Sequence, residues 1–446
     1  MTQNQIDGLR AEISALCALH DVGRVASVQG AALRVSGLSS SARLGDRVRI
    51  HTREGQTRTG EVLQLDQASV LVLPDESVEG LALGDRVSLI GAATIAPSPD
   101  WLGRVIDPYG QPLDDHPLQR GTQARAVRAD PPSPARRRSL GHRLETGMAA
   151  FNTFLPIVRG QRIGMFAGSG VGKSMLLGQL ARNMEADLVV VALIGERGRE
   201  LGDFIRNVMG PEGMRRAVIV AATSDRSPLV RRRCAWTAMA VAEHFRDQGQ
   251  HVLFLADSIT RFAEAHREIA VSAGEMPALR GYPASTAPTI MSLCERAGPG
   301  EGHAGDITAL LTVLVAGSDM DEPIADILRG VLDGHVVLDR QIAERGRYPA
   351  IDLLRSVSRS LPGALGADEN ALISQARRYL GSYARAETMI RAGLHVEGSD
   401  SVLDEAIRLW PELDSFVGEA EAGSSRNSFA RLSVIMRRAG AVSKAQ

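Results

Sequence analysis

At 446 residues the chain is longer than one hydrophobic core usually serves, so two or three domains are expected. Hydrophobic residues make up 44% and charged residues 23%, as in a soluble globular protein, and 51 Lys+Arg against 52 Asp+Glu argue against a chain that lives by neutralising nucleic-acid phosphates. Three cysteines, Cys17, Cys234 and Cys294, with no CxxC pair, exclude a disulfide framework or a cysteine-rich zinc site and suit a reducing compartment.

The N-terminus, Met1 to Arg10, lacks the apolar core of a signal peptide. Residues 1–20 read as a short amphipathic helix, with Ile6, Leu9, Ile13, Leu16 and Leu19 at helical spacing. Such a helix either packs on its own domain or docks a partner chain. Residues 21–92 carry short β-rich runs separated by turns. The phrases Leu44-Gly45-Asp46-Arg47-Val48 and Leu83-Gly84-Asp85-Arg86-Val87 repeat each other, and the pattern predicts a small β-barrel. Barrels that bind single strands stack bases on aromatics. Residues 1–100 hold no Phe, Trp or Tyr, so a structural barrel is the expectation.

Residues 93–135 are rich in Pro and Gly and read as a connector. From 136 to 360 strands and helices alternate, the pattern of a parallel α/β sheet. Ile163–Phe166, Leu188–Ile194, Ala217–Ala221, His251–Ala256 and Thr308–Val315 are apolar on both faces and are predicted as buried central strands. The arginine runs 136–138 and 231–233 read as solvated surface. The most apolar stretch, Ile307–Gly317, is far short of the about 18–20 residues that span a bilayer, and the chain is expected to be soluble and intracellular. From about 361 onward the sequence reads as a helical domain to residue 446, with a loop at Ala422–Ser425 before a last helix, Ser428–Arg438.

Chemistry concentrates in the central region. Ala167-Gly168-Ser169-Gly170-Val171-Gly172-Lys173-Ser174 follows an apolar strand and opens a helical pattern, the context required of a phosphate-binding loop. Its glycines let backbone N–H groups turn toward the β- and γ-phosphates of ATP, and Lys173 supplies a charge to the same oxygens. Ser174 offers a hydroxyl to Mg²⁺. Ala stands at 167 where the strict pattern has Gly. Asp257 ends an apolar strand and is a candidate magnesium ligand; its alternative is an N-cap of the next helix. Glu196, at another strand end, can orient and deprotonate the attacking water, or can pair with Arg197 or Arg199 on the surface.

These motifs, with Gly195–Glu200, Asp257–Phe262, Gly281-Tyr282-Pro283, Asp333–Arg340 and Pro349–Arg359, occur in an order that resembles the rotary ATP synthase alpha/beta superfamily, and within it the flagellar and type III protein-export ATPases. The resemblance covers roughly residues 22–420. It implies a small N-terminal β-barrel, a RecA-type P-loop ATPase domain and a C-terminal helical domain. It implies that Glu196 is the general base and Arg197 its neighbouring arginine. Arg359 would be an arginine finger reaching the nucleotide of an adjacent subunit, against an alternative as a structural ion-pair partner, and Tyr348 would stack on adenine.

A chain holding Lys173, Glu196, Asp257 and Arg359 together is expected to form a ring of identical copies with a site at every interface, which the resemblance implies is a homo-hexamer. The implied partners are a regulatory stalk protein at the N-terminal helix, then a central coiled-coil protein, export chaperones and cargo at the C-terminal face, and a membrane export gate. The implied location is cytoplasmic, peripheral to the membrane. The competing readings are the catalytic subunit of an ion-driven synthase and a ring-shaped RNA translocase. The Phe166–Ser169 wording disfavours the first, and the neutral charge and aromatic-free N-terminus disfavour the second.

Overall fold

A computed structural model describes residues 3–15, 19–315, 320–421 and 423–440. Six strands, β1 (Val22–Gln29), β2 (Ala32–Ser36), β3 (Arg47–His51), β4 (Thr57–Leu65), β5 (Ser69–Pro74) and β6 (Arg86–Gly91), close into a barrel in the order β1-β2-β5-β4-β3-β6. Alternation drives closure: Val25, Leu33, Val35, Val48, Ile50, Val62, Val70, Val72 and Val87 fill the interior.

The repeated phrase is the visible part of an internal duplication. In the first hairpin Val25 faces Val35 and Val28 faces Leu33. In the second, Val62 faces Val72 and Leu65 faces Val70, each partner 37 positions further on. Both hairpins break register just after the equivalent valine, Val25 and Val62. Gly45 and Gly84 take φ of +85° and +84°, which only glycine adopts without strain. Gly45 N–H donates to Val62 O at 2.9 Å and Gly84 N–H to Val25 O at 2.8 Å, so each turn is pinned to the other unit's first strand. Asp46 and Asp85 lock the two turns by accepting the N–H groups of Arg43 and Ala82, both at 2.8 Å.

The helix Gln3–Ala15 is present, and a Cβ at Gly8 would lie 2.8 Å from Arg120 O. Leu9 and Ile13 are exposed, as is Leu19, which lies past the helix end. Leu16 and Cys17 fall outside the described residues.

The Pro/Gly-rich segment carries structure of its own. β7 (Thr94–Ile95) pairs with β9 (Arg125–Ala126), and β8 (Val105–Ile106) forms an edge of the main sheet beside β12 (Ala217–Thr223). The rest of that sheet is β10 (Arg162–Ala167), β11 (Leu188–Glu196), β13 (His251–Asp257), β14 (Gly298–Pro299), β15 (Asp306–Leu314), β16 (Gly334–Leu338) and β17 (Ile351–Ser358). The order is β17-β16-β10-β15-β13-β11-β12-β8, with β14 beside β15. β17 runs antiparallel to β16, and β14 runs antiparallel to β15; the other pairs are parallel. The five apolar runs are all strands, buried on both faces under helices.

In the arginine runs Arg136 and Arg138 are exposed as expected, whereas Arg137 and Arg231 are partly buried and Arg232 and Arg233 fully so. Arg232 and Arg233 are buried between barrel and ATPase region: Arg232 pairs with Glu61 of β4 at 2.9 Å, and Arg233 donates to Pro108 O at 3.2 Å. Arg138 pairs with Asp306 at 2.6 Å, and Arg137 donates to Ala297 O at 3.1 Å. Charge counting could not find this, because each partner lies more than a hundred residues away or in another sheet.

The C-terminal region is three helices, Ala367–Arg391, Ser401–Gly418 and Ser425–Gly440. The last begins three residues earlier than expected, since Glu145 accepts the Ser425 N–H and hydroxyl at 2.6 and 2.8 Å and holds the first turn. Among the described residues no helix is long and apolar enough to cross a membrane.

Candidate nucleotide site

At the carboxyl end of β10, residues 168–172 turn the chain into the helix Lys173–Asn183. Gly170 and Gly172 have φ of +78° and +82°, so this turn requires glycine at both. Ala167 is fully buried as the last residue of β10, and its methyl packs into the core below the loop. Alanine is accommodated there because the turn begins one residue later. Val171 is buried, whereas Ser169, Gly170 and Ser174 face solvent.

Lys173 Nζ forms an ion pair with Asp257 Oδ1. Asp257 ends β13, is 3% exposed, and also accepts the Thr312 hydroxyl at 2.8 Å. Ser258, not Asp257, caps the next helix, accepting from Arg261 N–H at 3.3 Å.

β11 lies beside β13 with Leu193 opposite Asp257, and Gly195, at φ +70°, breaks the register where the strand ends. Glu196 therefore comes near Lys173 and Asp257. Burial first, then the neighbouring Asp257, push its carboxyl up to about 7, against a partial downward pull from Lys173. Arg197 is exposed and pairs with Glu200 at 3.7 Å, so the surface pairing considered for Glu196 goes to a different glutamate.

Gly168, Ser169, Lys173, Ser174, Glu196 and Arg197 line one open cleft of about 1,070 Å³. Tyr348 stands at its edge, half exposed, close enough that a Cβ at Gly172 would lie 3.1 Å from its ring. A hydroxyl and a carboxylate, Ser174 and Asp257, are hard oxygen donors of the kind magnesium uses when it keeps waters and binds substrate phosphates. Among the described residues no cluster of three or more His, Cys, Asp or Glu is placed to hold a metal ion.

Arg359 is not at this cleft. Ala167 lies level with Leu338, whereas Ser358 lies level with Gly334, four positions back along β16. At about 3.3 Å per residue the finger candidate is displaced about 13 Å along the strand direction, at the opposite end of the sheet. There it is exposed and donates to Arg329 O at 2.9 Å. Among the described residues it makes no ion pair, and its guanidinium is held by a main-chain oxygen instead.

Three further residues belong to the site's surroundings. Thr312 is one of two threonines in the strand β15, and its spacing alone assigned it nothing. Glu200, one turn beyond Glu196, and Arg261 line the cleft and lie within motifs already noted, yet their spacing alone assigned them nothing.

The family model for the ATP synthase alpha/beta family, nucleotide-binding domain, matches residues 147–358, and that for the T3SS EscN ATPase C-terminal domain matches residues 366–429. A flagellum-specific ATP synthase of Caulobacter vibrioides is 44% identical over 93% of this chain and 96% of its own length. That of Salmonella typhimurium is 43% identical over 92% of each. The assembled ATPase EscN from the type III secretion system of enteropathogenic E. coli superposes with a TM-score of 0.86 at 34% identity, over 93% of this chain and 99% of that one. EscN in complex with its central stalk EscO gives a TM-score of 0.84 at the same identity and coverage. With its barrel, parallel sheet and helical C-terminal region, the chain belongs to the ATP synthase alpha/beta family, in the branch of the flagellum-specific ATP synthases and type III secretion ATPases, and is an ATPase.

Proposed function

We propose that the chain hydrolyses ATP to energise flagellar (type III) protein export, at sites shared between identical copies in a homo-hexameric ring. The observation that carries this is the division of the site. Lys173, Glu196 and Asp257 converge on one cleft, while Arg359 lies exposed at the far end of the same sheet. A copy packed head-to-tail would bring that arginine to the neighbour's cleft.

In the free chain Asp257 neutralises Lys173. Arriving phosphates replace Asp257 as the counter-charge on Lys173 and leave its carboxylate for a metal. The amides of residues 168–173 and the helix N-terminus hold the β- and γ-phosphates. Ser174 and Asp257 would hold Mg²⁺, which supplies charge neutralisation on the phosphate oxygens. Glu196 orients a water and takes its proton, and Arg197 and the neighbour's Arg359 stabilise charge on the transferred group. Tyr348 stacks on adenine. Replacing Lys173 by Ala removes a charge-assisted contact and should weaken Mg·ATP binding about 10- to 100-fold, as read by isothermal titration; unchanged affinity would defeat the loop assignment.

A base held at about 7 must be deprotonated to work, so kcat/KM should be flat above that pH and fall about tenfold per unit below it. In stability the same shift acts with the opposite sign. The fold binds this proton more tightly than the unfolded chain, whose carboxyl titrates near 4.5. Glu196 therefore costs stability increasingly as pH rises from about 4.5 through 7. Glu196→Gln should raise the melting temperature at pH 8 and not at pH 4; an acid limb in kcat/KM centred near 4.5 would refute the shifted base.

The complex of EscN with its central stalk EscO supports a central stalk partner for this chain; we assign a central coiled-coil protein, export chaperones and cargo to the C-terminal helices. The exposed Leu9 and Ile13 support docking of a regulatory stalk protein on residues 1–20. We divide the remainder into barrel (21–92), connector (93–135), ATPase domain (136–360) and helical domain (361–446). The protein works in the cytoplasm, peripheral to the membrane at the export gate, without nucleic acid.

A further inference from the structure

The helix Pro323–Val331 touches both halves of the divided site. Glu322, Pro323 and Ile324 at its start line the chain's own cleft. At its other end the carbonyl of Arg329 accepts the Arg359 guanidinium at 2.9 Å. Nine residues at 1.5 Å each span about 14 Å, the same depth of sheet that separates Arg359 from the loop.

The contact at the far end is a helix cap. Carbonyls of a helix's last turn have no intrahelical donor, and this end carries the negative pole of the helix dipole, so a cation there is favoured. Leu328 O is satisfied by Leu332 N–H, whereas Arg329 O is met by Arg359. Arg359 N–H is held at the same end by Asp333 O at 3.0 Å. The helix is anchored along one side, with Ile324, Ala325 and Leu328 buried against the sheet and its covering helices. A nine-residue helix is stiff over its length, so a displacement imposed at one end is carried to the other.

We infer that this helix is a strut that holds Arg359 parked until the chain's own cleft is filled. The inference rests on the reading of Arg359 as a finger for the adjacent copy. A nucleotide that draws Pro323 and Ile324 toward itself moves the rod, takes Arg329 O away from the guanidinium and frees the arginine for the neighbour. Each site then reports its occupancy to the next through one helix. Arg329 is a positioning residue, acting through its main-chain oxygen.

Coupling of this kind is reciprocal, so a residue that cannot touch its own nucleotide must still alter that nucleotide's affinity. The test is titration of mant-ADP with magnesium into the full chain, dilute enough to be monomeric. If parking opposes binding, Arg359→Ala removes the opposition and lowers the dissociation constant about fivefold. Arg359→Lys, which can still donate to the carbonyl, should stay within about twofold of the parent chain. An unchanged or weakened affinity in Arg359→Ala, or a Lys variant that behaves like Ala, overturns the strut. The finger reading fails separately: it is lost if Arg359→Ala keeps full turnover in the assembled ring, whatever the monomer titration gives.

Discussion

Glu196→Gln should leave Mg·ATP binding within about twofold of the parent and cut kcat about 10²- to 10⁴-fold, the range a positioned general base contributes. The split between binding and turnover follows from where the carboxylate sits. Lys173 and the loop amides face the phosphates, while Glu196 stands beside them at the end of the neighbouring strand, held by burial and by Asp257 at a proton affinity matched to neutral pH. An amide of the same shape keeps the packing at Gly195 and the hydrogen bond from Ser224 N–H to Glu196 O at 2.9 Å. What it loses is the capacity to take a proton. Isothermal titration and steady-state hydrolysis on the same preparation measure both quantities. A variant that binds weakly and turns over in proportion would mean that Glu196 holds nucleotide and is no base.

The cleft could be read from the sequence because its parts are local. The loop needs glycine at 170 and 172 for its positive φ, and the apolar strand before it and the helix after it are both written in consecutive residues. Asp257 and Glu196 could be placed because each closes a strand that is apolar on both faces. The edge strands β8 and β17, and β16 beside β17, are not legible in the sequence, since they are short or carry polar residues such as His335 and Arg355 and lack the continuous apolar run of the central strands. The buried arginines 232 and 233 were misjudged for a related reason. A guanidinium is tolerated inside when a carboxylate such as Glu61 meets it, and no sequence window contains both. The barrel's duplication was glimpsed in one repeated turn. Its extent emerges only from the register, because identity survives at scattered positions such as Val25/Val62 and Val35/Val72, while Val28/Leu65 and Leu33/Val70 keep only their pairing.

Arg359→Ala should lower ring turnover about 10³- to 10⁵-fold, the range for an arginine finger, without abolishing nucleotide binding. Loss alone does not say which copy the finger serves; geometry does. The arginine lies about 13 Å along the strand direction from its own loop, at the other end of a sheet whose centre is packed solid, so no side-chain rotation brings it to its own nucleotide. Mixing two inactive chains exposes this. An Arg359→Ala chain keeps its loop and Glu196, and a Glu196→Gln chain keeps its finger. In rings assembled from equal amounts, about a quarter of interfaces join the intact cleft of the first to the intact finger of the second. Those interfaces should hydrolyse ATP, restoring about a quarter of parental turnover when interfaces act independently and a smaller share when they act in concert. If the arginine served its own chain, every cleft in the mixture would lack either its base or its finger and no activity would return. Recovery that appears only above a threshold protein concentration, and only when the two chains are assembled together, is the result that the divided site requires.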